Sequence, residues 1–489
     1  MTRPSSHTAG LRASARALAL LACTAAAILL LPSPASAGPQ AEVSIMDDQL
    51  LLGASQAKID RNMALFRALG FDRLRVSAFW NQIAPAADSR RRPAAFDAAN
   101  PSEPRYSFEA LDRVVESAAR HGLRVMVSLS TPGPVWASRE PRRDNNVWKL
   151  GAPEFAAFSE AVVRRYAPLV DHWGIANEPN GRAWLQPQSD RRGAFAPHLY
   201  RDMVQSAYPR IKAIDPDSVA LVGELAASGA QGRGSKVPLR PLRFLRALAC
   251  RDSRNRPIRR GRCRDFTPVP MDAIGHHTYQ LLLAPDQRSR SADDAAINDG
   301  RRLVRAIDRL TRVRAFRPGG GRRRLGVFYT EFGYQTSPPD PFAGVSLAEQ
   351  NRYLQRAAYI AWRTPRVRGI NQFRLTDGGL SGSGPQRFAE FQSGLLFGDR
   401  RRKPSYATFP DPFVIEGIRF WGHVRPGGAH TVIVQHRRSR RARFRTVAEV
   451  LTKRNGYFSF PLRGRKPGEY RYRYSDPEGV SGIVRVRPR

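Results

Sequence analysis

Trp173-Gly174-Ile175-Ala176-Asn177-Glu178-Pro179 and Val327-Phe328-Tyr329-Thr330-Glu331-Phe332-Gly333 are two short apolar runs that each reach a glutamate. A carboxylate at the carboxyl end of a buried strand sits where a parallel barrel keeps its chemistry. Glu178 and Glu331 stand 153 positions apart (331 − 178), which leaves room for three strand-helix units between them. The spacing therefore predicts strands four and seven of an eight-stranded barrel.

Outward from these runs, residues 50 to 410 alternate strand-like apolar runs with amphipathic stretches, the pattern of repeated strand-helix units. The eight expected strands are Leu50 to Gly53, Arg73 to Ser77, Arg124 to Leu129, His172 to Ala176, Val219 to Val222, Met271 to Gly275, Gly326 to Thr330 and Gly369 to Phe373. Short apolar runs of this kind fit strands buried on both faces. Leu199, Met203, Ala207, Ile211 and Ile214 make one apolar stripe of an outer helix, and Ser346-Leu347-Ala348-Glu349 is a capping box that opens another. An Arg-rich stretch from 231 to 270 reads as an insertion edging the cleft. With the loops at 84 to 106 and 137 to 151, it is expected to set specificity.

After Pro410-Asp411-Pro412 the character changes to short β-type runs, among them Thr431 to Val434, Tyr457 to Phe460 and Tyr470 to Tyr474, separated by Gly, Pro, Asn and Asp. The expected fold class is α/β, a (β/α)8 TIM barrel followed by a small all-β sandwich. The expected plan is a signal peptide at 1–37, the barrel at 38–410 and the sandwich at 411–489.

The leader is read from basic Arg3, Arg12 and Arg16, the apolar run Ala17 to Leu31, and the small-residue site ending at Ala37. It predicts a secreted, extracellular protein with no membrane segment left after cleavage. Cys23 would leave with the leader, so Cys250 and Cys263 remain. An even pair in an oxidising compartment points to one disulfide, two free thiols being the alternative. No His or second Cys pair stands near them at ligand spacing, so no metal site is expected there.

The formal charge is +38, or +35 once the three leader arginines are removed (38 − 3). Only 7 of the 80 basic residues are lysine, and the arginines are spread along the whole chain. No zinc-finger, RNA-recognition or basic-helix motif is present, so no specific nucleic acid partner is expected. Residues 415–489 hold 18 basic against 5 acidic residues, a net +13 (18 − 5). Such a surface favours contact with acidic polymers or a cell wall at low salt.

Two carboxylates facing one cleft are what glycosidic bond cleavage needs. Glu178, partly buried at a strand end, suits the general acid, whose pKa burial and a neighbouring anion would raise. Asn177 beside it could hydrogen-bond a sugar 2-hydroxyl, and Glu331 would be the nucleophile. A buried carboxylate needs donors, and Arg75 and Tyr279 are the candidates for Glu331.

These residues resemble the retaining glycoside hydrolases of clan A over roughly 45 to 410. Asn177-Glu178-Pro179 and Thr330-Glu331-Phe332-Gly333 match that clan's acid/base and nucleophile signatures. His277-Thr278-Tyr279 matches the His-x-Tyr of cellulase-like members, and Arg75, followed by Trp80, matches their strand-two arginine. The chain departs from the cellulase-like pattern at the third strand, which has no histidine at its end, and at the eighth, where Phe373 stands for a tryptophan. The segment through Trp136 and the double histidine look more like the family 39 group of xylosidase-like enzymes. The resemblance implies an oligo- or polysaccharide substrate, catalytic Glu178 and Glu331, and a sugar site lined by Asn177, Arg75, His277, Tyr279, Trp80, Trp136 and Phe373. No glycine-rich phosphate loop, H-E-x-x-H or G-x-S-x-G occurs, so no metal or organic cofactor is expected. A non-catalytic surface protein holding acidic polymers is the alternative reading.

Overall fold

The computed structural model describes residues 41–488, and the expected leader lies outside the described residues. The described residues lie in one compact unit. Eight parallel strands close into a barrel: β1 (Glu42–Met46), β2 (Arg73–Phe79), β3 (Arg124–Ser130), β4 (His172–Ile175), β5 (Val219–Leu225), β6 (Ala273–His277), β7 (Gly326–Glu331) and β8 (Val367–Phe373). Each pairs with its neighbours in sequence, and β1 meets β8 from Glu42 opposite Gly369 to Met46 opposite Phe373. All eight carboxyl ends therefore open on one face, Glu178 following β4 and Glu331 ending β7.

The first strand corrects the sequence reading. It lies at Glu42–Met46, whereas Leu50 and Leu51 belong to the one-turn helix Asp48–Leu51. Polar residues disguise β1 because they have partners: Glu42 pairs with Arg73 and Arg124, and Ser44 Oγ accepts from Asn371 Nδ2 at 3.0 Å. Strand five runs past the expected end at Val222 to Leu225, with Glu224 (φ +44°) as a bulge between Gly223 (φ +115°) and Leu225.

The outer helices are α1 (Gln56–Ala68), α2 (Glu109–Arg120), α3 (Ala152–Tyr166), α4 (Ala196–Ile214), α5 (Pro241–Leu248), α6 (Gly300–Arg312) and α7 (Leu347–Arg363). The expected stripe of α4 is the buried one, with Leu199, Met203, Ala207 and Ile211 in the core. The capping box of α7 forms: Glu349 N–H donates to Ser346 Oγ at 3.2 Å, and Ser346 N–H to Glu349 Oε2 at 3.0 Å. No described helix is long and apolar enough to cross a membrane.

The 231–270 insertion holds α5 and a disulfide joining Cys250 and Cys263. Arg201 on α4 anchors it, reaching Cys250 Sγ at 3.1 Å and the Arg262 carbonyl at 2.8 Å.

Beyond the barrel, β9 (Phe413–Glu416), β10 (Arg419–His423), β11 (Thr431–Arg437), β12 (Arg445–Leu451), β13 (Tyr457–Pro461), β14 (Gly468–Tyr474), β15 (Gly479–Val480) and β16 (Val484–Val486) form two antiparallel sheets. One holds β9, β10 and β13; the other holds β11, β12 and β14 to β16. Aromatic rings fill the space between them, Tyr472 lying 5.3 Å from Phe413 and 5.1 Å from Phe458 between centroids. A third cluster seats this sandwich on α7: Tyr359 and Trp362 pack against Val414, Trp421 and Tyr457. Glu416 accepts from Tyr359 Oη at 2.8 Å and pairs with Arg363 at 3.1 Å in the same seam.

Candidate active site

Glu178 and Glu331 meet at the open face of the barrel, in a cleft of about 860 Å³. One carboxylate oxygen of each lies within 4.8 Å of the other, and within that distance of a ring nitrogen of His277. The β4 end is turned by unusual backbone: Ala176 (φ +60°) and Glu178 (φ +37°) are non-glycine residues in the left-handed region. Such residues cost about 1–3 kcal/mol each and persist only where the surroundings over-determine them. Here Pro179 follows at once, and Glu178 N–H is held by the Glu224 carbonyl at 3.1 Å.

Glu331 receives two donors, Arg75 Nη1 on Oε1 at 2.9 Å and Tyr279 Oη on Oε2 at 2.9 Å. Both expected partners thus touch it. Arg75 is almost wholly buried and spends its whole fork: Nε goes to Glu224 Oε1 at 2.9 Å and Nη2 to Asn177 Oδ1 at 2.7 Å. Holding Asn177 by its oxygen leaves the Nδ2 amide hydrogens free to face the cleft.

His277 Nδ1 lies 2.8 Å from Glu178 Oε1 and 3.4 Å from Glu331 Oε2. Burial pulls its pKa down, but Glu331 and Glu178 more than offset this and the net direction is up, favouring a proton shared between the two carboxylates. His276, by contrast, is buried against the Ala295 carbonyl, and burial lowers it to about 4, so it stays neutral. Burial first, then Glu331, push Tyr279 well above its usual range, so the phenol keeps its hydrogen and donates. Glu178, His277 and Glu331 converge closely enough to hold a metal ion; the same atoms already satisfy one another.

Glu224, at the end of β5, is the site residue that sequence reasoning misses. It is fully buried, and besides Arg75 it accepts from Ser128 Oγ. Gly174 and Gly275 flank it, and a Cβ on either would come within 2.5 or 2.6 Å of its side chain. The strand-end rule that finds Glu178 and Glu331 applies to it, but Gly223 reads as a terminator although the strand continues through a bulge to Leu225. Asp48, Trp184 and Phe391 also line the cleft, and no motif in the sequence points to them.

Trp80 and Trp136 do not line the cleft. Trp80 is 1% exposed and packs on Phe158 and Phe155, while Trp136 donates Nε1–H to the Pro85 carbonyl at 3.0 Å. Both are core of the β2 and β3 side. Phe373 does face the cleft, edge-on to Tyr279 at 6.1 Å and Phe391 at 5.4 Å. Trp184, stacked on Phe79 at 6.5 Å, stands on the other wall. The 231–270 insertion contributes no lining residue; segments 279–296 and 389–391 supply the upper wall instead.

Residues 41–241 match the family model Cellulase (glycosyl hydrolase family 5). A search of curated proteins found no match. Among solved structures, a family 39 glycoside hydrolase from the gut symbiont Bacteroides cellulosilyticus WH2 is similar over 87% of this chain and 79% of its own, at 18% identity and a TM-score of 0.50. A glucosidase from Croceicoccus marinus covers 88% of this chain and 94% of its own, at 13% identity and a TM-score of 0.49. At 18% identity the family 39 structure speaks for the fold alone. The resemblance to clan A glycoside hydrolases rests on the family match together with the closed barrel, and the match supports glycosidase chemistry.

Proposed function

We propose that the protein is a secreted retaining β-glycosidase acting on oligo- or polysaccharides. The observation that carries this reading is the approach of Glu178 and Glu331 oxygens to within 4.8 Å. Retaining pairs stand about 5–5.5 Å apart, whereas inverting pairs leave about 6.5–9.5 Å for a water. Glu331, oriented by Arg75 and Tyr279, attacks the anomeric carbon. Glu178 gives its proton to the leaving glycosidic oxygen as that bond breaks, which leaves a glycosyl ester on Glu331. Glu178 then takes a proton from water, whose oxygen attacks the same carbon and releases Glu331. Asn177 Nδ2 donates to the 2-hydroxyl, an interaction that strengthens as charge develops on the ring.

Hydrolysis of aryl β-glycosides, followed by NMR of the first-formed anomer, tests this. Glu178→Ala and Glu331→Ala should each abolish turnover, with azide restoring the second as an inverted glycosyl azide. Full activity in either variant, or an inverted product from the wild type, would overturn it.

A second reading, contact with acidic polymers, is favoured by one feature of the sandwich. Arg438, Arg443, Arg445, Arg463, Arg465 and Lys466 line a groove of about 760 Å³. None of these side chains has an ion-pair partner among the described residues, and the Arg465 Nε is buried without a hydrogen bond. The groove suits an anionic polysaccharide that would hold the enzyme near its substrate. Salt-sensitive retention on such a polymer with no turnover of any glycan would make this the protein's main role.

A further inference from the structure

Asp47 and Asp48 follow β1 and divide two tasks between them. Asp47 is structural: its Oδ2 accepts from Leu375 N at 3.0 Å and Thr376 N at 3.2 Å, and its Oδ1 caps the one-turn helix. That ties the end of β1 to the chain leaving β8 and fixes the direction of the next residue. Asp48 Oδ1 accepts from Ser77 N at 3.2 Å, while its Oδ2 is buried and has no hydrogen-bond partner among the described residues. An unsatisfied buried carboxylate oxygen is costly, and such a group calls for an explanation. Asp48 lines the same cleft as Glu178 and Glu331, so the missing partner is a group that enters the cleft.

We propose that Asp48 is a specificity residue of the innermost sugar subsite, accepting a hydrogen bond from a hydroxyl of an uncharged sugar and repelling uronates. This rests on the glycosidase reading. The charge of the cleft gives the sign of the selection. Six carboxylates line it against two guanidinium groups, Arg290 and Arg374. Arg374 is spent on the Thr376 carbonyl and on Gln49. Arg75, below Asp48, is committed to Glu224, Glu331 and Asn177. A sugar carboxylate would meet Asp48 and Glu331 in a cleft whose carboxylates outnumber its cations, Arg290 being the one lining guanidinium not already committed to a protein group, although the protein as a whole is strongly basic. A hydroxyl, in contrast, satisfies Oδ2 and adds no charge. Burial and the nearby Glu331 also push the Asp48 carboxyl up to about 6, which an additional anion would aggravate.

The test compares wild type and Asp48→Asn on matched aryl β-glycosides: neutral hexosides and pentosides, their monodeoxy analogues, and the uronides. The wild type should prefer a neutral glycoside. Asp48→Asn should lower its kcat/KM about 10- to 100-fold, the worth of a hydrogen bond to a charged group, and narrow its margin over the uronide. One monodeoxy analogue should lose as much with the wild type and nothing further with the variant, which a merely structural role would not produce. A wild-type preference for uronides, or kcat/KM within twofold in the variant, would overturn the proposal while leaving the glycosidase reading intact. Calorimetric titration with the parent oligosaccharides separates the two failures. Binding of neutral sugars that depends on Asp48, without turnover, would remove the glycosidase reading and keep this one; absence of both turnover and neutral-sugar binding would remove both.

Discussion

In the cleft both carboxylate oxygens of Glu224 and of Glu331 are answered by donors held in place from elsewhere in the barrel, and His277 meets one oxygen of Glu178. Arg75 alone ties β2 to Glu224 at the β5 bulge, to Glu331 at the end of β7 and to Asn177 after β4. The groove on the sandwich is arranged in the opposite way. Apart from Arg437, which pairs with Glu469, its arginines are mostly exposed, lack acidic partners among the described residues, and lie on loops and an edge strand. Low dielectric and mutual orientation make the first a pre-organised site, whose interactions are strong because little must reorganise. The second can bind only by neutralising charge on a partner, so its strength is set by salt. A chain of net charge +38 thus keeps an acidic cleft and puts a dense share of its cations on the other module.

The harshest way to break the cleft is Arg75→Met. Glu224 and Glu331 would then be buried without their cation, and Asn177 would lose its anchor. Breaking a buried pair costs about 3–5 kcal/mol, and losing a pre-organised donor about 10²- to 10³-fold in kcat. Both should appear together, in chemical denaturation and in steady-state rates on an aryl glycoside. A variant with normal rates would show that Glu331 needs no fixed cation.

Trp421→Ala tests whether the two modules are joined as one folding unit. Trp421 is fully buried in the seam with Tyr359 and Trp362. The expected loss is about 3 kcal/mol in denaturation, the lower end for a buried Trp truncation, with rates at 25 °C unchanged because no cleft residue touches it. A biphasic melt in which the barrel transition stays in place would instead assign the loss to the sandwich alone.

Much of this contrast can be read in the sequence, for reasons that individual residues illustrate. Strands two to eight are visible because both faces are buried, which leaves apolar runs such as Val327-Phe328-Tyr329. The first strand is hidden because Glu42 and Ser44 spend their polarity on Arg73, Arg124 and Asn371, partners far away in the chain. Glu178, Glu331, Asn177, His277 and Tyr279 come together because their places at or just past strand ends bring them to one face, and Arg75, inside β2, reaches them with its long side chain. Trp80 and Trp136 mislead because an aromatic near a strand end looks the same whether it turns toward the cleft or toward α3. Trp184 and Phe391 escape notice because their loops carry no periodic signal. The groove is legible only as net charge; its concentration on one face is a product of sheet pairing.

Reversing charge at Arg443 and Arg463 sharpens the other side of the comparison. Each cation withdrawn from an anionic group should lower the slope of log affinity against log salt by about 1, so Arg443→Glu with Arg463→Glu should reduce it by about 2 on an anionic polysaccharide column. At low salt this is on the order of a tenfold weaker retention, with aryl glycoside turnover unaltered. A control reversing Arg301 and Arg305 on α6 should leave the slope near the wild-type value. Equal effects from the two pairs would mean that the groove is no more than diffuse surface charge.

The smallest expected effect concerns Asp48, whose buried Oδ2 has no donor among the described residues. Burial, followed by the weaker push of Glu331 against the pull of Ser77 and Arg75, raises Asp48 to about 6 from 3.8. Between roughly pH 4 and 6 the folded protein therefore holds a proton that the unfolded chain has released, and stability contributed by this group falls as pH rises. Asp48→Asn removes that slope. Relative to wild type, the variant should be near its baseline difference at pH 4 and gain on the order of 1 kcal/mol by pH 7, a discounted value because the cleft is open to water. Urea denaturation of both proteins at pH 4, 5, 6 and 7 reads this directly. A difference that stays flat across the series would mean that Asp48 is well solvated, and with it would fall the claim that its free oxygen awaits a hydroxyl. A growing difference, paired with a loss of kcat/KM, would identify Asp48 as a residue that trades folded-state stability at neutral pH for sugar selection.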